Sequence, residues 1–136
     1  MFSGICSGYL VKPRILVNEE VDRSSLCVSQ KTLSFLRDVL RVVVSEGTAR
    51  QLRYFKNFSI YAKTGTAQVV GLQKQVKGAK QQLEHAWFVS YFSYRNQKPL
   101  AMVILLENVG SSSYATALAG QFFRLYQASL TQKDSE

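Results

Sequence analysis

A chain of 136 residues with 46% hydrophobic and 19% charged residues is long enough to bury one core and too apolar to be a disordered segment. Lysine and arginine outnumber aspartate and glutamate 17 to 9, a net charge of +8, but they are scattered, with one loose cluster at Lys74, Lys77 and Lys80. A solvated basic surface is expected rather than a nucleic-acid interface.

No apolar run reaches the length of a membrane span, the longest being Leu100 to Leu106, and the first residues lack the basic and apolar pattern of a secretory signal. Cys6 and Cys27 have no Cys-x-x-Cys spacing and there is a single histidine, so no metal site and no cofactor are expected, and the thiols read as free and partly buried. Phe2 to Cys6 resembles the end of a helix without a start signal, Ser7-Gly8 marks a turn, and Tyr9 to Val11 reads as a short strand. Ile15 to Val17, after Pro13, reads as extended.

The first strong helix pattern runs from Ser29, an N-cap, to Glu46, with Gly47 as its C′ residue. Leu33, Leu36, Leu40 and Val43 recur at helical spacing, and Phe35, Val39 and Val42 widen the stripe, which predicts a largely buried helix. A basic connector with Arg50, Arg53 and Lys56 follows. Phe58 to Ala62 alternates, placing Phe58, Ile60 and Ala62 on one face of a strand and Ser59, Tyr61 and Lys63 on the other. The polar stretch from Val69 to Glu84 reads as a long loop. His85 to Tyr94 is an aromatic-rich strand, Arg95 to Pro99 a hairpin turn, and Leu100 to Leu106 a returning strand whose unbroken apolar run predicts a central position with both faces covered. Ser111 to Ser113 caps a last helix over Tyr114 to Leu130, with Ala115, Leu118, Ala119, Phe122, Leu125 and Tyr126 on one face and the small Ala115, Ala119 and Gly120 allowing close approach to a sheet, and Thr131 to Glu136 is a polar tail. The sum is a single α+β layer.

The chemistry concentrates in Lys63-Thr64-Gly65-Thr66. An ammonium, a hydroxyl and a residue without a side chain at a strand end make an edge that reads anions, and the Thr66 amide that follows can face a developing oxyanion. By itself such a tripeptide is more often a solvated strand end with an ordinary glycine. His85 could act as a base, but no serine or cysteine is visibly paired with it, and a hydrogen-bonded structural role is the better reading.

Ala62-Lys-Thr-Gly-Thr-Ala-Gln-Val69, a long loop, His85-Ala-Trp-Phe88, a strand ending at Glu107-Asn108 and an alanine-bearing helix resemble the C-terminal third of a penicillin-binding transpeptidase domain. The resemblance is to class B penicillin-binding proteins, in particular the elongation-specific kind, and it extends to Glu46-Gly-Thr-Ala49 and the Gly8 to Pro13 segment. It implies the C-terminal part of a β-lactamase/transpeptidase-like fold: one partial domain over residues 1–136, an antiparallel sheet covered by helices, and a closing C-terminal helix. It further implies a peptidoglycan D,D-transpeptidase, held at the cell membrane with its domain on the outer side, whose partners are a stem peptide or a β-lactam. Lys63 would then be the catalytic cation, Thr64 or Thr66 would bind the substrate carboxylate, Gly65 would leave room for it, and the Thr66 amide would form half of the oxyanion hole.

Neither Ser-x-x-Lys, the family's nucleophile motif, nor Ser-x-Asn occurs in these 136 residues. In the family both motifs and the membrane anchor precede the part resembled here, so the chain is expected to be inactive alone, with the serine supplied upstream or by a companion polypeptide. The alternative is a non-enzymatic basic module that binds an anionic partner through Lys74, Lys77 and Lys80, with an affinity falling steeply as salt rises.

Overall fold

A computed structural model describes residues 2–68, 84–95 and 97–133. In chain order it contains α1 (Phe2–Ser7), β1 (Tyr9–Val11), β2 (Arg23–Ser25), α2 (Gln30–Ser45), a short 3-10 helix (Arg50–Tyr54), β3 (Phe58–Ala67), β4 (His85–Tyr94), β5 (Leu100–Leu106) and α3 (Ser112–Lys133). The last three strands form an antiparallel sheet in the order β3-β4-β5, and β1 and β2 form a separate two-stranded ribbon. The α+β architecture with an antiparallel sheet and a closing helix is thus as expected. No helix among the described residues is long and apolar enough to cross a membrane.

Local signals hold where the sequence states them directly. The Ser29 hydroxyl accepts from the Thr32 amide at 3.1 Å and caps α2. Gly47 follows the helix for a reason of contact, not of φ: a Cβ there would lie 2.9 Å from Val43 Cα. In β3 the alternation buries Phe58, Ile60, Ala62 and Thr64 on one face, and the matching residues of β4 are Ala86, Phe88, Ser90, Phe92 and Tyr94. Phe58 packs against Tyr94 and Phe123 with ring centroids 5.0 Å apart in both pairs, and Phe92 meets Phe123 at the same distance. Fully burying each such ring stabilises by roughly 1.5–3 kcal/mol. This aromatic nucleus fixes α3 across the sheet and holds β3 in register with β4, Phe58 opposite Tyr94 and Thr66 opposite Ala86.

Four expectations give way. Ile15 to Val17 bends and turns and is exposed, since no strand lies beside it to accept an extended backbone. Only Leu33, Leu40 and Val44 of α2 are buried, while Phe35, Val39 and Val42 face outward, so one stripe meets the sheet and the wider apolar face stays open. β5 is an edge strand with Val103 60% exposed, and β4 takes the centre; the apolar run gave no information about which side is covered. α3 extends through Lys133, and its inner face is turned by about one residue to Ala115, Thr116, Ala119, Gly120 and Phe123. Small residues let its axis approach the sheet, which leaves Leu118, Phe122 and Leu125 on the outside. The expected loop from Val69 to Glu84, apart from Glu84, and Asn96 of the hairpin turn lie outside the described residues.

Candidate active site

β3 is the outer strand of its sheet, so one long edge of Phe58–Ala67 has no strand partner among the described residues. Lys63, Thr64, Gly65 and Thr66 stand together at the C-terminal end of that edge. Lys63 is exposed, and its ammonium donates to the Thr64 carbonyl at 2.6 Å, which keeps the charge beside the strand. Thr66 is exposed, whereas Thr64 is 6% exposed, and its hydroxyl lies 2.6 Å from that of Thr48. The two threonines therefore differ: Thr64 ties β3 to the segment after α2, and Thr66 is open to a ligand.

Gly65 is informative through what does not require it. Its φ is not positive, and a Cβ built on it meets only Trp87 Cβ, at an ordinary 3.6 Å. Glycine in a strand costs about 0.5–1 kcal/mol relative to alanine. Among the described residues nothing packs closely enough against Gly65 to require a glycine there.

Thr48 was missed as a partner of the site; Glu46-Gly-Thr-Ala49 drew notice only through its order in the family pattern. His85 opens β4 opposite Ala67, and its Nδ1 accepts from the Asn108 amide at 3.1 Å, the structural role expected of it. On the sheet face that also carries Lys63 and Gly65, Cys6 lies near Arg37 and Tyr91, and Tyr91 pairs across the ladder with Tyr61; burial pushes the Cys6 thiol up to about 11, against a smaller lowering by Arg37, and burial also raises the Tyr91 hydroxyl. Both cysteines are free, and Cys27 is exposed rather than partly buried. A groove lined by Tyr54, Phe55, Arg124 and Gln127 sits where Phe55 touches Phe58, at the far end of β3 from Lys63, and takes no part in this constellation. Lys74, Lys77 and Lys80, the basis of the anion-binding alternative, fall outside the described residues.

An outer strand bearing Lys-Thr-Gly-Thr on an α+β sheet closed by a C-terminal helix is the arrangement set against known proteins. The family model of the penicillin binding protein transpeptidase domain matches residues 1–125, and the chain belongs to that family. It is also similar to the peptidoglycan D,D-transpeptidase MrdA of Haemophilus influenzae, 38% identical over 91 residues. That match takes in 62% of this chain and 14% of the relative, so the chain spans only a small part of the relative's length.

Proposed function

We propose that this chain supplies the Lys-Thr-Gly side of a peptidoglycan D,D-transpeptidase of the elongation-specific class B kind. Its serine nucleophile comes from outside these 136 residues, either upstream in a longer polypeptide or on a companion chain. In the complete site the serine attacks the D-Ala-D-Ala carbonyl of a stem peptide, D-Ala departs, and an amine of a neighbouring stem takes the acyl group from the serine. A β-lactam enters by the same attack and stays as the acyl-enzyme. The complete protein works at the outer side of the cell membrane.

The observation that carries this reading is the edge of β3 that has no strand partner among the described residues, where Lys63, Gly65 and Thr66 are accessible together. A peptide laid along it finds backbone partners. Lys63 holds positive charge beside the reacting serine, and the Thr66 hydroxyl takes the terminal carboxylate. Thr64 is left to brace the strand through Thr48. The Thr66 amide donates to the oxyanion, a kind of contact whose loss costs about 100- to 1,000-fold in rate.

The test is labelling with a fluorescent penicillin, together with sequencing of the DNA upstream of the Met1 codon in all three frames. The chain alone takes no label; joined to a segment that carries Ser-x-x-Lys and Ser-x-Asn it labels, and Lys63→Ala removes the signal. Labelling of the chain alone, or full labelling of the Lys63→Ala protein, refutes the proposal.

A further inference from the structure

The turn between β5 and α3 is held by three successive backbone amides that converge on Glu84 and His85, where β4 begins. Val109 and Gly110 donate to the Glu84 carbonyl at 3.1 and 2.9 Å, and Asn108 donates to His85 Nδ1 at 3.1 Å. The turn needs left-handed backbone at Asn108 (φ 55°) and Gly110 (φ 79°), an arrangement that points consecutive N–H groups to one side. The three donors share two acceptors: the Glu84 carbonyl is fixed, and the other is a ring nitrogen that can be protonated. His85 pairs across the sheet with Ala67, and the neighbouring pair is Ala86 with Thr66.

We propose that His85, as the neutral tautomer with its proton on Nε2, is a positioning residue. It latches the β5–α3 turn to the end of β4 and thereby steadies the Thr66 amide across the ladder. An acceptor at Nδ1 cannot carry a hydrogen, so protonating the ring converts the bond into an N–H against N–H contact and releases the turn. Among the described residues the charged groups adjoining it are Glu84 on its own strand approach and Glu107 on the turn; Lys63 on β3 stands four ladder positions away, opposite Val89, and the first turn of α3 brings no acid. The consequence for catalysis rests on the transpeptidase reading of Thr66, whereas the latch itself does not.

The experiment is an NMR titration of the uniformly 15N-labelled full chain from pH 8 to pH 5, read at the His85 ring nitrogens and at the amides of residues 66 and 108–110. The expected result is the Nε2–H tautomer at pH 8, with the Thr66 and Asn108 amides shifting at the midpoint of the ring. His85→Asn, whose side-chain oxygen can accept the same bond, keeps Asn108 protected and abolishes the pH response. His85→Ala speeds Asn108 exchange by about tenfold, read by hydrogen–deuterium exchange mass spectrometry if the sample associates. An Nδ1–H tautomer, or a Thr66 amide indifferent to the ring, overturns the proposal. If amides and ring titrate together but no penicillin-labelled assembly forms, the latch stands and the transpeptidase reading falls.

Discussion

Replacing Gly65 with alanine should move stability and ligand capture in opposite directions. The added methyl meets Trp87 Cβ at 3.6 Å, an ordinary contact, and the backbone at Gly65 is one that alanine adopts freely. The substitution removes unfolded-state entropy and should stabilise by about 0.5–1 kcal/mol. For a domain of this size that raises the melting temperature by roughly 2–5 °C. Residues 63 and 65 share a face of β3, so the same methyl projects beside Lys63, where the proposed site places its ligand. An overlap there costs about 1–3 kcal/mol, or roughly five- to 150-fold in the rate of penicillin acylation of the assembled protein. Thermal denaturation followed by circular dichroism checks the first part and time-resolved labelling the second. A destabilised Gly65→Ala chain would refute the claim that the fold does not need this glycine. Unchanged acylation would refute the claim that a ligand does.

Thr48→Val leaves the buried Thr64 hydroxyl without its 2.6 Å partner and should cost about 1–2 kcal/mol in urea denaturation, while Thr48→Val combined with Thr64→Val should cost less than the two single changes summed. Alkylation followed by mass spectrometry should find Cys27 reactive at pH 8. Cys6, with its thiol raised to about 11 by burial, keeps about one thiolate per thousand molecules there, and its rate should climb only as the pH approaches that value; equal rates at pH 8 would contradict its burial. The isolated chain carries a β5 edge unpaired among the described residues, with Val103 and Leu105 exposed, beside the outward Leu118, Phe122 and Leu125 of α3, and should be marginally stable and self-associate. Val103→Lys should then lower light scattering at equal concentration, and a monomeric, cooperative thermal transition of the unmodified chain would count against the expectation.

The parts of this fold that are legible in the sequence are those decided within a few residues. Alternation over Phe58 to Ala62 assigns the faces of β3, Ser29 announces the start of α2, and Arg95 to Pro99 marks the turn that sets β4 against β5. What is not legible depends on what lies across the gap. Seven apolar residues in a row describe β5 equally well as a covered or a half-covered strand, and only its neighbours decide that Val103 faces outward. In α3 two apolar stripes compete, and the one with the smaller residues wins because Phe123 must reach Phe58 and Phe92, which requires the helix to come close.

The same coupling of core to surface explains why the sequence gathers the candidate residues on one strand but does not separate its two threonines. Burial of Phe58, Ile60 and Ala62 forces Thr64 inward by simple alternation, and there its hydroxyl needs a partner. The partner is Thr48, sixteen residues away and outside any helical or strand period, so no local pattern could reveal it. Lys63 and Gly65 are turned to the opposite face by the same alternation, and Thr66, at the strand's end, remains exposed. The core therefore selects which hydroxyl is free: moving the register of β3 by one residue would bury Lys63 and expose the phenylalanine that anchors α3. Such a shift is opposed by the whole aromatic nucleus, which is why the Lys-Thr-Gly edge can be held rigidly by a chain that contains no nucleophile motif of its own.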